Sequence, residues 1–253
     1  MGVIVEAGVG GYAADEKWQV WRPAPMSARP PRLVLCHGKA THGWYYGESP
    51  VRGRLCRSLA MTGIVCIAAD LGNADPDNGP LTGTWGTPLS VQRVWELVDW
   101  SAGRWGVDPN RVLLLGDSAG GATALNALRA EPNRVAACCT RLGVTNISAE
   151  YELGNPLITQ MIDEAYGGNW TEVANEHDPA LNLGDFSGHE HKIRLYYSGN
   201  DGIVPASTQT GFASAVGCRA VPIGEVGHDA ELSYPAFPDA DLARFLWWRL
   251  RHT

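Results

Sequence analysis

The chain has no run of the roughly 18–20 apolar residues that a helix needs to cross a bilayer, so a helical integral membrane protein is excluded. It has no basic cluster either. Lys plus Arg number 20 against 27 Asp plus Glu, which leaves a formal net charge of −7. Such a surface repels a phosphate backbone, so no nucleic-acid partner is expected. There is no CxxC among the six cysteines. Cys36, Cys66, Cys138 and Cys139 lie inside apolar runs. With Cys56 and Cys218 they read as reduced thiols in a chain too large to need disulfides. Met1 to Gly11 lacks the positive charge and continuous apolar core of a secretory signal, and no Ser or Thr follows Gly2 in a myristoylation pattern. A cytoplasmic location is the default expectation.

What is there is apolar and well punctuated. Hydrophobic residues make up 45% and charged residues 19%, enough to bury a large core and to exclude wholesale disorder. At 253 residues the length suits one large α/β domain or two small ones; no internal repeat or long linker divides it. Strand-like runs occur at Lys17 to Arg22, Arg32 to Cys36, Ile64 to Ala69, Val112 to Leu115, Val135 to Cys139, Ile193 to Tyr197 and Arg219 to Ile223. Most are continuously apolar, the mark of parallel strands covered on both faces. Helices are expected between them. One opens at Ser49–Pro50 and stops at Gly63, one opens at Thr87–Pro88, one follows Gly120, and Asp239 caps a last one carrying Leu246 and Leu250. The alternation predicts an α/β fold with helices on both faces of the sheet. About fifty residues separate Cys139 from Ile193, far more than a crossover helix needs. This stretch, with Tyr151, Leu153, Leu157, Ile158, Met161, Ile162, Tyr166 and Trp170, reads as a helical, cap-like insertion at about 141–191 lying over one end of the sheet.

The strongest chemical signal is Gly116–Asp117–Ser118–Ala119–Gly120, a G-x-S-x-G between an apolar strand and a good helix. A sharp turn there lifts the serine above the sheet at a helix N-terminus, where developing negative charge is favoured. A serine nucleophile needs a base, and the base needs an orienting acid. Asp201 follows the strand at Ile193 to Tyr197, and His228 follows the strand at Arg219 to Ile223. Each of the three therefore falls just past a strand, at one edge of the sheet. Glu225 and Asp229 are rival acids, and His37 is a rival base better read as structural. The oxyanion hole calls for two N–H donors: Ala119, and Lys39 or Ala40 after the strand that ends at His37–Gly38. Trp44, Tyr45 and Tyr46 are candidates to line a substrate pocket. Arg141 is a candidate for a substrate carboxylate, with a structural salt bridge as the alternative. His189–Glu190–His191 has no third ligand at a recognisable spacing, so no metal is expected, and no cofactor.

Taken together, Val107–Asp108–Pro109–Asn110–Arg111 and the run from Leu113 through Gly121 resemble bacterial esterases and prolyl-oligopeptidase-like enzymes of the α/β-hydrolase superfamily. The resemblance implies one domain over residues 1–253, a mostly parallel sheet of about eight strands, and a triad of Ser118, Asp201 and His228. His37–Gly38–Lys39–Ala40 departs from the HGGG of hormone-sensitive-lipase-type esterases. Shorter echoes, Ala69–Asp70–Leu71–Gly72, Thr84–Trp85–Gly86 and Ala165–Tyr166–Gly167–Gly168, resemble hydrolase modules in tail proteins of phages that infect actinobacteria. That resemblance would imply virion assembly partners, a location in the virion tail and a cell-envelope ester as substrate, or a non-catalytic tail module. The chemistry expected from the residues themselves is hydrolysis of a small-molecule or lipid-like carboxylic ester, with an apolar pocket that prefers short to medium acyl chains. A peptidase or an acyltransferase using the same three residues is the alternative within the fold.

Overall fold

The computed structural model describes residues 2–13, 16–38, 50–72, 85–228 and 239–252. Eight strands form one sheet: β1 (Gly2–Val9), β2 (Lys17–Ala24), β3 (Arg32–Cys36), β4 (Val65–Ala69), β5 (Val112–Asp117), β6 (Val135–Arg141), β7 (Ile193–Tyr197) and β8 (Arg219–Pro222). Their order is β1-β2-β4-β3-β5-β6-β7-β8. The β1–β2 and β2–β4 pairs are antiparallel and all others are parallel. The apolar runs mark seven of the eight strands. They do not mark β1, an edge strand with no fully buried residue.

Strand alternation distributes the core to both faces. Leu33, Leu35, Leu113 and Leu115 point to one side, where helices α1 (Pro50–Met61) and α8 (Asp239–His252) supply Leu55, Leu59, Leu242 and Leu246. Val34, Cys36, Val112 and Leu114 point to the other. There α2 (Pro88–Trp105), α3 (Gly120–Ala130) and α7 (Ala206–Val216) supply Val94, Leu97, Leu125 and Phe212. Helix α2 begins as its sequence dictates: the Thr87 side chain accepts the Ser90 N–H, and Pro88 occupies the first turn. Ser49, the expected cap of α1, lies outside the described residues. All six cysteines are free, and five are buried.

Between β6 and β7 come α4 (Ile147–Glu152), α5 (Pro156–Ala165), α6 (Trp170–His177) and three short 3₁₀ turns. Ile147, Ile158, Ile162 and Trp170 pack with Trp85, Ala119, Ala122 and Val204. The insertion thereby covers the C-terminal end of the central strands, above the start of α3. Among the described residues no helix is long and apolar enough to cross a membrane.

Candidate active site

Ser118 sits between β5 and α3 with φ +52°, a left-handed backbone that costs an L-residue roughly 1–2 kcal/mol. The surrounding hydrogen bonds hold it there. Its N–H donates to the Arg141 carbonyl at 3.2 Å, and its own carbonyl accepts from Gly121 and Val144 N–H, each at 2.8 Å. The glycines of the motif are a matter of space. A Cβ on Gly116 would lie 2.2 Å from the Gly120 carbonyl oxygen, and one on Gly120 would lie 2.1 Å from that of Cys36. The turn can exist only where backbone meets backbone without side chains between.

Ser118 Oγ lies 2.9 Å from His228 Nε2. His228 Nδ1 lies 2.8 and 3.0 Å from the two Asp201 oxygens. Asp201 is only 6% exposed, and its Oδ1 also accepts the N–H groups of Ile203 and Val204 at 2.9 Å each. An acceptor-only carboxylate fixes the proton on Nδ1 and leaves Nε2 bare toward the serine hydroxyl. The three side chains predicted from their order along the chain thus form one hydrogen-bonded line.

The histidine loop is clamped to the aspartate loop by two residues for which the sequence offers only a turn composition. Ser198 Oγ donates to the Gly224 carbonyl at 3.1 Å and accepts from Val226 N–H at 3.0 Å. Asn200 donates to the Glu225 carbonyl at 3.2 Å and accepts from Gly227 N–H at 2.7 Å. The rival acid Glu225 has its carboxyl against Gly199, where an added Cβ would lie 2.2 Å from Oε1. Asp229 lies outside the described residues.

Ala119 is fully buried at the start of α3, and among the described residues its N–H has no backbone acceptor. Lys39, Ala40, Trp44, Tyr45 and Tyr46 lie outside the described residues. Gly38, just before them, does approach the serine: a Cβ there would be 2.9 Å from Ser118 Cβ. His37 is 1% exposed, and its ring nitrogens lie 2.9 Å from the Gly38 carbonyl oxygen and 2.8 Å from that of Asp70. It joins two loops and does not face the serine hydroxyl.

Of the two readings of Arg141, the structure shows the salt bridge. Arg141 is 1% exposed and forks onto Asp117, Nε to Oδ1 at 3.0 Å and Nη2 to Oδ2 at 2.5 Å, with Arg52 3.5 Å from the same carboxylate. The guanidinium belongs to an ion cluster under the serine turn, because register places Arg141 opposite Asp117 on the neighbouring strand. A substrate carboxylate would have to displace a bidentate buried pair. His189 precedes the last 3₁₀ turn and His191 lies within it, and among the described residues no three His, Cys, Asp or Glu side chains gather as a metal site.

A cavity of about 210 Å³ opens beside Ser118 and His228. Trp85, Val144, Ile158 and Val204 give it apolar walls, and Glu150 and Asn155 interrupt them. Burial, and then the charge of Asp201, push the Glu150 carboxyl up to about 8. A wider depression of about 800 Å³, lined by Tyr151, Gln160 and Glu164 among others, lies on the insertion and does not include the serine.

No protein-family profile matches the chain, and no curated protein matches it in sequence. Solved structures match it in shape. Esterase B of Lactobacillus rhamnosis superposes with a TM-score of 0.69 at 16% identity, over 99% of this chain and 87% of its own. S-formylglutathione hydrolase of Staphylococcus aureus gives 0.67 at 15%, over 98% of both chains. A puromycin-hydrolysing peptidase of Mycobacterium tuberculosis gives 0.75 at 19%, over 98% of this chain and 39% of that one. The chain spans 36–41% of the length of the peptidase structures it matches. At such identities the likeness establishes the fold, and the fold is that of the α/β-hydrolases.

Proposed function

We propose that the protein is a serine hydrolase that cleaves carboxylic esters. The observation that carries this reading is the line from Ser118 Oγ through His228 to Asp201, with spacings of 2.9 and 2.8 Å. His228 Nε2 takes the serine proton as Oγ attacks the acyl carbon, and Asp201 stabilises the imidazolium that forms. The tetrahedral oxyanion is held by the Ala119 N–H and by the N–H of Lys39 or Ala40. As it collapses, the C–O bond to the alcohol breaks and His228 delivers the proton to the departing oxygen. Water then repeats the sequence on the acyl-enzyme, releasing the acid and restoring Ser118. Neither step needs a metal or an organic cofactor.

The esterase and S-formylglutathione hydrolase chains are covered almost end to end, whereas the peptidases carry much additional chain. The small cavity favours short acyl groups.

The test is a set of p-nitrophenyl esters of increasing chain length beside peptide p-nitroanilides, with fluorophosphonate labelling of the serine. Cleavage of short esters and covalent modification of Ser118 are expected. Cleavage of anilides alone overturns the ester assignment. A Ser118 that neither reacts nor turns over overturns the enzyme reading in favour of a non-catalytic module. Release of acids from actinobacterial envelope, with no turnover of short esters, moves the substrate to the cell envelope.

A further inference from the structure

Glu150 is the one acidic side chain of α4 that is buried, at 1% exposure, and neither of its oxygens has a hydrogen-bond partner among the described residues. It nevertheless lines the cavity that Ser118 and His228 share. Among the described residues the cavity wall supplies no lysine or arginine to pair with it. The nearby carboxylate of Asp201 is already committed to His228 and two backbone N–H groups, and its charge further disfavours a second anion. A buried carboxyl with two open acceptors is costly unless something donates to it. Among the described wall residues outside the serine–histidine pair two carry N–H donors, the Trp85 indole and the Asn155 amide, and neither is hydrogen-bonded to Glu150: Trp85 Nε1 is itself unpartnered, and Asn155 accepts the Leu157 N–H with its carbonyl oxygen. The partner must therefore arrive with the ligand. It must bring N–H donors, and a positive charge among them favours the ionised carboxyl that burial and Asp201 otherwise disfavour.

We propose that Glu150 is a specificity-determining residue that receives a cationic nitrogen, an ammonium or guanidinium group, on the portion of the substrate seated beside Ser118. The inference rests on the hydrolase reading above and narrows it to esters whose reacting portion carries such a group at the end of a short chain. At about 210 Å³ the cavity falls below the usual range for drug-sized ligands and takes a short alkylammonium, not a long acyl tail. It also revises the expectation of a wholly apolar pocket, because its polar wall is anionic when ionised.

The experiment compares p-nitrophenyl esters of N-acetyl-lysine and N-acetyl-norleucine, nearly matched in shape and differing in the ammonium. In the wild-type protein kcat/KM for the lysine ester should exceed that for the norleucine ester at least tenfold. In Glu150→Gln that ratio should fall to about one. A wild-type ratio near one, or a ratio that survives in Glu150→Gln, overturns the proposal. A parallel arm does not depend on turnover: titration with n-butylammonium or n-butanol, followed by calorimetry on wild type and Glu150→Gln. The ammonium should bind the wild type more tightly than the alcohol and lose that advantage in the variant. Equal binding of the two by wild type overturns the proposal even if the variant fails to fold. If neither ester is cleaved and fluorophosphonate leaves Ser118 unmodified, the hydrolase reading fails by itself, and the butylammonium titration still decides the role of Glu150.

Discussion

Two buried carboxyl groups flank Ser118, one beneath the turn and one over it. Beneath, Asp117 is gripped by Arg141 in a two-pronged ion pair with Arg52 close by. Over it, Glu150 reaches the cavity wall with both oxygens unmatched among the described residues. Their burial is alike, at 4% and 1% exposure. The contrast lies in supply. The sheet delivers a cation to Asp117 through strand register, while the insertion delivers apolar side chains to Glu150. A paired buried carboxylate holds the architecture, whereas an unpaired carboxyl is kept protonated by its surroundings until a donor reaches it.

The comparison can be broken at several points. The largest effect belongs to the residue between the two carboxyls. Ser118→Ala should leave a folded protein whose kcat on esters falls by roughly 10⁴–10⁶, with His228→Ala close behind, since groups that act as a unit fail as a unit. Retention of a tenth of the activity by Ser118→Ala would remove the serine from the chemistry. Next comes the lower carboxyl. Arg141→Met strips Asp117 of its bidentate partner and should destabilise the fold by about 3–5 kcal/mol, read from the denaturant midpoint. A loss under 1 kcal/mol would mean that Arg52 alone suffices.

The upper carboxyl should behave in the opposite sense. In the folded chain Glu150 holds its proton up to about 8, whereas an unfolded glutamate releases it near 4.3. Between those values the folded state binds more protons, so this group makes stability fall as pH rises through the window. Glu150→Gln should therefore come close to the wild type at pH 4.5 and be more stable at pH 8.5, by an amount on the order of 5 kcal/mol. A pH-independent difference between the two proteins would contradict the shift. The smallest effect is at the clamp. Ser198→Ala removes hydrogen bonds to Gly224 and from Val226. It should cost about 1 kcal/mol and lower kcat roughly tenfold with little change in KM, because His228 is then aimed less firmly. An equal change in KM instead would place Ser198 in binding.

The serine turn and its two partners were legible in the sequence, and the surroundings of the two carboxyls that flank it were not. Gly116 and Gly120 announce the serine turn because a Cβ at either would fall about 2 Å from a backbone oxygen, a local constraint that a local motif can carry. Asp201 and His228 could be read because each follows an apolar strand. The pairing of Arg141 with Asp117 is different: it depends on which residue faces which across β5 and β6, and a register shift at Val112/Leu113 hides that from residue counting. Glu150 and Glu152 are alike in composition and two residues apart on one short helix. One is buried and one exposed only because of where the insertion folds back. β1 escaped for a third reason. As an edge strand it has one neighbour and a half-exposed pattern, so it lacks the continuous apolar run that betrays a central strand.

The carbonyl of Ser118 is fastened from two sides, by Gly121 at the head of α3 and by Val144 at the entrance to the insertion. A few residues on, the N–H groups of Ile147 and Ser148 at the start of α4 are tied to the carboxylate of Asp178, beyond the end of α6. The near end of the roof is thus pinned to the turn that carries the serine, and its far end is pinned to its near end. The later helices are held as well, α6 by the Asn126 amide on the His177 carbonyl and the end of α5 by the Tyr166 hydroxyl on the Trp85 carbonyl, each at 2.8 Å. Glu150 stands between these fastenings, so the carboxyl that greets an entrant keeps a set distance from the nucleophile.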